Sequence, residues 1–262
     1  MQHALVVPAT GRDYCAGMLR RHPPPAIAGT YGNRLLELLP RGDLLALAPH
    51  LRRRRFERGE WITSVGDTDK VHFIESGLAS LVAEVNGKAV ETCAVGREGG
   101  LNLVAALGAG ETRAAGMMQV EGDVASLSMQ VWREAVERSP AVRDLAGRHA
   151  QMFVVLAMRN VACAAQHSVE QRLCRKLVSS RDRTGSDEIR ITQQFLADML
   201  GVRRTSIVEV ASKLQQARTI EYRHGLIRIL DASALQACAC DCYEAILASY
   251  AAIFPEVLRQ RD

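Results

Sequence analysis

The sequence predicts an α+β protein with an N-terminal β-roll of the jelly-roll type, a long dimerisation helix and a C-terminal winged helix-turn-helix domain. Three observations carry this prediction. Residues 52–132 alternate short apolar runs with glycine-bearing turns, residues 140–166 repeat apolar side chains every three or four positions, and residues 191–230 combine two amphipathic helices with a hairpin. The predicted parts are a flexible arm (1–33), a β-roll acting as a sensor (34–138), a dimerisation helix (139–167) and a winged domain with a C-terminal helix (168–262).

Composition sets broad limits on the class of protein. A chain of 262 residues with 48% hydrophobic and 24% charged residues is long enough for two globular domains. It contains no apolar run of about 18 residues, so no membrane-spanning helix is predicted. The first residues lack the basic flank and apolar core of a secretory signal, and we therefore expect a cytoplasmic protein without a membrane partner.

The positive charge is concentrated in one part of the chain. The formal net charge is +4, and residues 167–231 contain twelve Lys or Arg against eight Asp or Glu, so this quarter holds the whole excess. A basic segment of this kind can bind a phosphate backbone through counterion release. Charge alone does not separate that interpretation from a solvated surface with a slight arginine bias.

Residues 52–132 are predicted to form an antiparallel sandwich or barrel. Val71–Ile74, Leu81–Val85 and Met117–Val120 are short, apolar and rich in branched side chains, as strands are. Asn86-Gly87 separates two such runs and is typical of a tight type I′ hairpin turn.

Helices are predicted on both sides of this region. Leucine-rich stretches fit two short helices, the first beginning near Asn33, with a break at Pro40-Arg41-Gly42. Further on, Ser139 can cap a helix that begins at Pro140 and extends for about 27 residues, or about 40 Å. Its apolar seam comprises Val142, Leu145, Met152, Leu156 and Cys163. Because one β-domain cannot cover such a helix, a second copy of the chain is the favoured partner, and burial inside a larger monomer is the alternative.

The strongest local pattern lies between residues 191 and 230. Thr192 is a candidate N-cap for a helix over Gln193–Leu200, Gly201 provides a left-handed turn, and a second helix starts near Arg203. The second helix has an apolar floor of Ile207, Val210, Ala211 and Leu214 and an outer polar face of Thr205, Glu209, Ser212 and Gln216. A following β-hairpin has Arg223-His224-Gly225 at its tip.

These features favour a helix that reads the major groove and a basic wing that contacts phosphates. An ordinary helical hairpin with an exposed amphipathic helix is the alternative interpretation.

Taken together, residues 34–231 resemble the Crp/Fnr family of transcription regulators. The resemblance rests on the segments Arg58–Ile62, Phe73–Gly77 and Leu196–Ile207. It implies that Arg204, Thr205 and Glu209 occupy the positions of the main base readers, with Gln193 at a phosphate contact. Thr205 and Glu209 depart from the frequent Arg/Glu/Arg set, so the usual family operator does not follow. The full predicted DNA-binding set is Gln193, Arg203, Arg204, Thr205, Ser206, Glu209, Ser212, Lys213, Arg223 and His224.

The resemblance also raises the question of an effector. Residues 96–100 and 111–115 lie where cyclic-nucleotide members of the family hold a phosphate, and Arg113 with Glu98 could contact a phosphate and a ribose. The order of Gly and Glu is altered, however, and the interval is longer. The predicted effector set is Glu98, Gly99, Gly100, Arg113 and Ala114. A cyclic nucleotide is less favoured than an unidentified small ligand or a β-roll that mainly packs against the long helix, so no definite cofactor is predicted.

The seven cysteines predict no disulfide framework, because their count is odd and their spacing scattered. The iron–sulfur site of the Fnr branch needs several N-terminal cysteines, and only Cys15 lies there. Cys238, Cys240 and Cys242 are predicted to lie on one helix, with Cys240 facing away from the other two, so three thiolates could not meet one metal ion. We therefore expect packed cysteines and no metal; a redox switch or metal site using Cys238 and Cys242 is the alternative.

The sequence thus predicts a sequence-specific, DNA-binding transcription regulator that binds a pseudo-palindromic operator as a homodimer. Double-stranded DNA is the expected partner, and RNA polymerase is a second candidate. A regulatory module that binds a small ligand and acts on a partner protein is the alternative. No nucleophile elbow, P-loop, dinucleotide fingerprint or metal-ligand pair supports an enzyme.

Overall fold

Two antiparallel β-sheets form the N-terminal half of the chain. The structure is a computed structural model that describes residues 31–67, 69–85, 88–108 and 114–256. Within these residues the strands are β1 (Arg52–Phe56), β2 (Trp61–Thr63), β3 (Lys70–Ile74), β4 (Leu78–Val85), β5 (Lys88–Val95), β6 (Gly100–Leu101), β7 (Ala115–Val120) and β8 (Gly122–Ser128). One sheet has the order β1-β8-β3-β6 and the other β2-β7-β4-β5. This confirms the predicted β-roll.

Several predictions for this half can be compared with the structure only in part. Most of the predicted arm lies outside the described residues, and so do Arg113 and the hairpin turn at Asn86-Gly87. The strands flanking that turn do pair, with Val85 opposite Lys88. Asn33 is the N-cap of α1 (Arg34–Glu37), as predicted. Helix α2 (Arg41–Leu47) begins directly after Pro40, so Arg41 and Gly42 belong to this helix and the predicted break is too long by two residues.

The β region ends earlier than the sequence suggested. Helix α3 (Met129–Arg138) begins directly after β8, with Ser128 as its N-cap, so the boundary predicted at Trp132 is wrong by one helical turn. Met129, Trp132 and Val136 recur at helical spacing and are buried. Trp132 packs edge-on against Phe73 with their ring centroids 5.5 Å apart, which fixes this helix on the sandwich.

The long helix α4 (Pro140–Gln166) has the predicted bounds. Ser139 caps it by accepting a hydrogen bond from the amide of Val142. The predicted seam residues are buried, but within the chain itself. Val142, Leu145, Met152 and Leu156 pack against the sandwich and the C-terminal helix, and Cys163 packs against Cys240 and Cys242. The assignment of that seam to a partner chain is therefore wrong. A different stripe of α4 is exposed to solvent: Val154 (58%), Met158 (68%) and Val161 (71%).

The C-terminal part adds α5 (Val169–Thr184), β9 (Glu188–Arg190), α6 (Gln193–Leu200), α7 (Arg204–Gln216), β10 (Ile220–Arg223), β11 (Leu226–Ile229), α8 (Ala232–Cys238) and α9 (Cys242–Ile253). Strands β10, β11 and β9 form one small antiparallel sheet in that order. A reciprocal capping box of Ser168 and Gln171 starts α5. Helix α9 returns to the N-terminal half, where Ile246 and Phe254 join the core of the sandwich and α4.

The prediction of one helix across Cys238, Cys240 and Cys242 is wrong. Helix α8 ends at Cys238, Ala239 is extended (ψ 152°), and α9 begins at Cys242. A continuous helix would have turned Cys240 away from its neighbours, whereas the break buries both Cys240 and Cys242. Cys238 faces Cys174 instead. Cys238 and Cys242 therefore do not share a face.

No helix in the described ranges has the length and apolar character needed to cross a membrane.

Candidate nucleic-acid interface

Helices α6 and α7 are joined by a tight turn. Thr192 accepts a hydrogen bond from the amide of Phe195 at 3.1 Å and starts α6, and Gly201 ends it in the left-handed conformation (φ 64°) that glycine adopts without strain. The amide of Val202 then donates to the carbonyl of Ala197 at 3.0 Å. Ala197 is fully buried, and its small side chain lets the second helix cross closely over the first. These contacts fix the direction in which α7 leaves the turn.

Helix α7 has one buried and one exposed face, as predicted. Ile207, Val210, Ala211 and Leu214 are buried. The exposed side chains are Arg203, Arg204, Thr205, Glu209, Ser212, Lys213 and Gln216, and Ser206 is half-buried. The structure therefore brings the predicted base-reading residues onto one surface.

The N-terminus of α7 is the most positive part of that surface. Arg203 is its N-cap, and the Arg203 side chain accepts no hydrogen bond from the first amides. Among the described residues, no carboxylate forms an ion pair with Arg203 or Arg204. First-turn amides without a side-chain cap, the positive end of the helix dipole and these two guanidinium groups together suit a phosphate or a guanine edge.

Further along α7 the charges are partly balanced. Glu209 and Lys213 are one turn apart, and their charged atoms are 3.6 Å apart. Such an exposed pair contributes little to stability and is easily exchanged for contacts with DNA.

Val208, which was not predicted from the sequence, is 41% exposed on the outer face. Its spacing of four residues from Arg204 could have revealed it, and an apolar group there suits a thymine methyl.

The wing lies beside α7 and is held to it. Glycine and a left-handed His224 (φ 49°) form the turn between β10 and β11, and Arg223 and His224 are exposed at the tip. The amide of Tyr222 donates to Oε1 of Gln215 on α7 at 2.9 Å, and the Tyr222 hydroxyl donates to the carbonyl of Ile191 at 3.1 Å. Gln215, also not selected from the sequence, thus positions the wing. Gln193 is half-buried at the start of α6.

The winged domain is docked on the sandwich through buried contacts. Met199 of α6 packs with Val82 and Met117 of the sheet. Nζ of Lys176 on α5 donates to Oε1 of Glu91 on β5 at 2.6 Å, with the side chains 7% and 13% exposed. Burial lowers the pKa of Lys176, and the carboxylate of Glu91 opposes this effect. The orientation of α7 relative to the sandwich is therefore set by this junction.

Three of the predicted effector residues, Glu98, Gly99 and Gly100, are already engaged within the chain. Nε of Arg183 on α5 donates to Oε1 of Glu98 at 2.6 Å. Burial alone would raise the pKa of Glu98, but the charge and hydrogen bond of Arg183 outweigh it and hold that pKa below its usual value. The amide of Gly100 donates to Nε2 of His149 at 3.2 Å, and Gly99 packs against the same ring. A ligand at Glu98, Gly99 and Gly100 would have to displace these contacts. A ligand site at these residues and Ala114 stays a prediction.

The imidazole of His149 should make stability depend on pH. Burial lowers its pKa to about 4 from an unperturbed value near 6.5. Between these two pH values the imidazole is protonated in the unfolded chain but neutral in the folded chain. The stabilisation is complete above pH 6.5 and is lost as the pH falls towards 4. We expect the free energy of unfolding in urea to fall by about 3 kcal/mol through this residue over that interval.

The measurement compares urea unfolding of the wild type and His149→Gln at pH 7 and at successively lower pH. The variant should show the smaller fall. His72, which burial likewise gives a pKa of about 4, contributes equally to both proteins. Replacing the exposed His50 by Gln is the control. Equal slopes for the wild type and His149→Gln would contradict the prediction.

Comparison with known proteins agrees with this geometry. Residues 171–238 match the family model described as a Crp-like helix-turn-helix domain. The C-terminal part of this chain is a Crp-like helix-turn-helix domain. Its bounds include α6, the turn, α7 and the wing. None of the curated proteins that were compared matches the sequence.

Solved structures show the same fold over most of the chain. One of them is a protein from Eubacterium rectale that has been provisionally assigned as a transcriptional regulator of the Crp/Fnr family. The similarity covers 79% of this chain and 98% of that protein, with 16% identity and a TM-score of 0.64. A regulator of the CRP family from Thermus thermophilus covers 71% and 96%, with 19% identity and a TM-score of 0.61. The c-di-GMP-responsive regulator CLP of Xanthomonas campestris covers 72% and 98%, with 18% identity and a TM-score of 0.60. The Crp/Fnr resemblance and the predicted fold class are confirmed.

Proposed function

We propose that this DNA-binding transcription regulator reads a pseudo-palindromic operator as a homodimer and acts in the cytoplasm. The observation that carries the proposal is the outer face of α7. Its polar side chains are exposed above a buried apolar floor, with Arg203 and Arg204 at its N-terminus and no ion pair to either arginine from the part of the chain that the structure describes. In helix-turn-helix proteins this end of the second helix enters the major groove. RNA polymerase as a second partner stays a prediction.

The exposed side chains suggest different roles along the groove. Arg204 can donate both arms of its guanidinium to a guanine edge, Glu209 can accept from a cytosine amine, and Val208 can contact a thymine methyl. Thr205 offers a single hydroxyl for either role. The remaining predicted contacts suit phosphates and position the helix without reading sequence: Gln193, Arg203, Ser206, Ser212, Lys213, Arg223 and His224.

The dimer is supported by the exposed stripe of α4. Val154, Met158 and Val161 recur every three or four residues, which is the spacing of a coiled-coil seam, and all three are more than half exposed in one chain. A second copy would cover this stripe with an identical one. Two α7 helices related by the resulting two-fold axis would contact half-sites about one helical turn of DNA apart.

The decisive test is operator selection followed by replacement of Arg204. Sequences bound from a random library should converge on a two-fold motif, and binding should weaken steeply with salt. Arg204→Ala should then lower affinity for the selected operator by about 10- to 100-fold, the equivalent of about 1–3 kcal/mol, and leave affinity for random DNA nearly unchanged.

Arg138→Ala is the matched control, because Arg138 is also an exposed arginine but lies on α3 of the N-terminal half. It should change neither affinity. An equal loss on operator and random DNA would assign Arg204 to a phosphate. The absence of any salt-dependent DNA binding would overturn the proposed function and favour a module that acts on a protein.

A further inference from the structure

Four metal-ligating side chains meet where the long helix joins the winged domain. Cys163 and His167 are one turn apart at the C-terminal end of α4, and Cys240 and Cys242 lie in the break between α8 and α9. One ligand atom from each, a cysteine Sγ or a histidine ring nitrogen, lies within 4.8 Å of the others. Segments more than 70 residues apart in the chain thus supply one cluster of three thiols and an imidazole.

The distances within the cluster suit a single small ion. Sγ of Cys163 is 3.5 Å from Sγ of Cys240, and Sγ of Cys242 is 3.6 Å from Nδ1 of His167. Tetrahedral zinc, with bonds of about 2.3 Å to sulfur and 2.0 Å to nitrogen, separates its ligand atoms by about 3.5–3.8 Å. An iron–sulfur cluster places several iron and sulfide atoms between its cysteines and needs a wider cavity. The thiols are also too far apart to form a disulfide without movement.

The surroundings resemble those of a structural metal site. Cys163, Cys240 and Cys242 are at most 5% exposed. Nε2 of His167, the nitrogen that faces away from the thiols, is 3.6 Å from Oδ1 of Asp241. A carboxylate beside the outer nitrogen of a histidine orients the ring and leaves Nδ1 to the metal, as in many zinc sites.

Two arginines lie near enough to balance the negative charge of such a site. Three thiolates, a neutral imidazole and a dication carry a net charge of −1. Arg172 and Arg175 on α5 interact electrostatically with the cluster, Arg172 with Cys163 and Cys240 and Arg175 with Cys240.

We propose that Cys163, His167, Cys240 and Cys242 bind one Zn²⁺ ion per chain in tetrahedral geometry. The ion would join the end of α4 to the α8–α9 break and so fasten the winged domain to the dimerisation helix. All four coordination positions are filled by side chains, which is the arrangement of a structural site and leaves none for a substrate. The earlier expectation of packed cysteines rested on a continuous helix that the structure does not contain.

The test uses the full chain, purified under reducing conditions and stripped with a chelator. Cobalt(II) is the probe, since tetrahedral thiolate coordination gives it strong visible bands and a sulfur-to-cobalt charge-transfer band. We expect one Co²⁺ per chain, displaced by one Zn²⁺. Cys242→Ser should lower the charge-transfer intensity by about a third, because one of three thiolates is lost, and weaken zinc binding by about 10-fold or more.

Cys238→Ser is the matched control, because Cys238 lies in the same short segment but faces Cys174. It should leave stoichiometry and spectrum unchanged. The cobalt spectrum of the wild type decides the geometry even if Cys242→Ser folds poorly, and His167→Gln gives a second variant.

Four outcomes would overturn the proposal: no metal uptake, equal uptake by the wild type and Cys242→Ser, acid-labile sulfide in the purified protein, or a Cys163–Cys240 disulfide whose reduction restores no affinity for zinc.

Discussion

Replacing Met158 and Val161 together by glutamate is expected to convert a dimer into a monomer and to lower operator affinity by about 100-fold or more. In the dimer both carboxylates would be buried among apolar side chains with no partner, which costs several kcal/mol for each. In the single chain both positions are about 70% exposed, so the fold of each protomer should persist. Once the dimer is lost, each winged domain must find its half-site independently.

The oligomeric state is measured by light scattering during gel filtration, where the wild type should have twice the chain mass of 28.7 kDa and the variant that mass alone. Operator affinity is then measured for both. Leu45→Glu is the control, because Leu45 is an apolar side chain of similar exposure on α2. A variant that stays dimeric would place the interface elsewhere, and a monomeric wild type would refute the proposed assembly.

Replacing Lys176 by methionine should cost about 3–5 kcal/mol of stability, because it leaves the carboxylate of Glu91 buried without its cation. Besides Lys176, that carboxylate contacts the hydroxyl of Ser80 at 2.5 Å, and Nζ of Lys176 also reaches Oε1 of Gln119 at 3.3 Å. These neutral groups cannot balance the charge of Glu91. The double variant Lys176→Met/Glu91→Leu should recover much of the loss, since neither buried charge then remains.

Urea unfolding of the two single variants, the double variant and the wild type forms a complete double-mutant cycle. The exposed pair of Arg138 and Glu134 on α3 is the reference, and Arg138→Met should change stability by less than about 1 kcal/mol. If Lys176→Met costs no more than Arg138→Met, the pair at the junction contributes nothing beyond a surface pair.

Local signals in the sequence predicted most of the elements. The helix caps form hydrogen bonds to residues within four positions, as at Ser139, Thr192 and Gly201. The helix boundaries predicted from these residues agree with the structure. The amphipathic pattern of α7 likewise placed its exposed face correctly. These features depend on backbone hydrogen bonds between near neighbours, which a single sequence reveals.

What the sequence did not predict depends on contacts between distant residues. Glu98 was expected to be available to a ligand, but it pairs with Arg183 from 85 positions away. The seam of α4 was assigned to a partner because nothing in the sequence shows that α9 returns to cover it. Cys163 is 77 residues from Cys240, and only the break after α8 brings them together. The spacing of residues along a helix does not show where burial of side chains, here of Cys240 and Cys242, will favour a break in that helix.

Two ion pairs, Lys176–Glu91 and Arg183–Glu98, together have a consequence for the spacing of the DNA half-sites that this protein would bind. Both cations lie on α5, seven residues or about 10 Å apart along its axis. A single ionic contact would still allow the winged domain to rotate about it. Two separated contacts, together with the packing of Met199 against the sheet, oppose that rotation. The orientation of α7 is then fixed relative to the sandwich. In the proposed homodimer these two ion pairs would help to set the distance between the half-sites, and a signal that loosens either pair would change the length of operator that is bound.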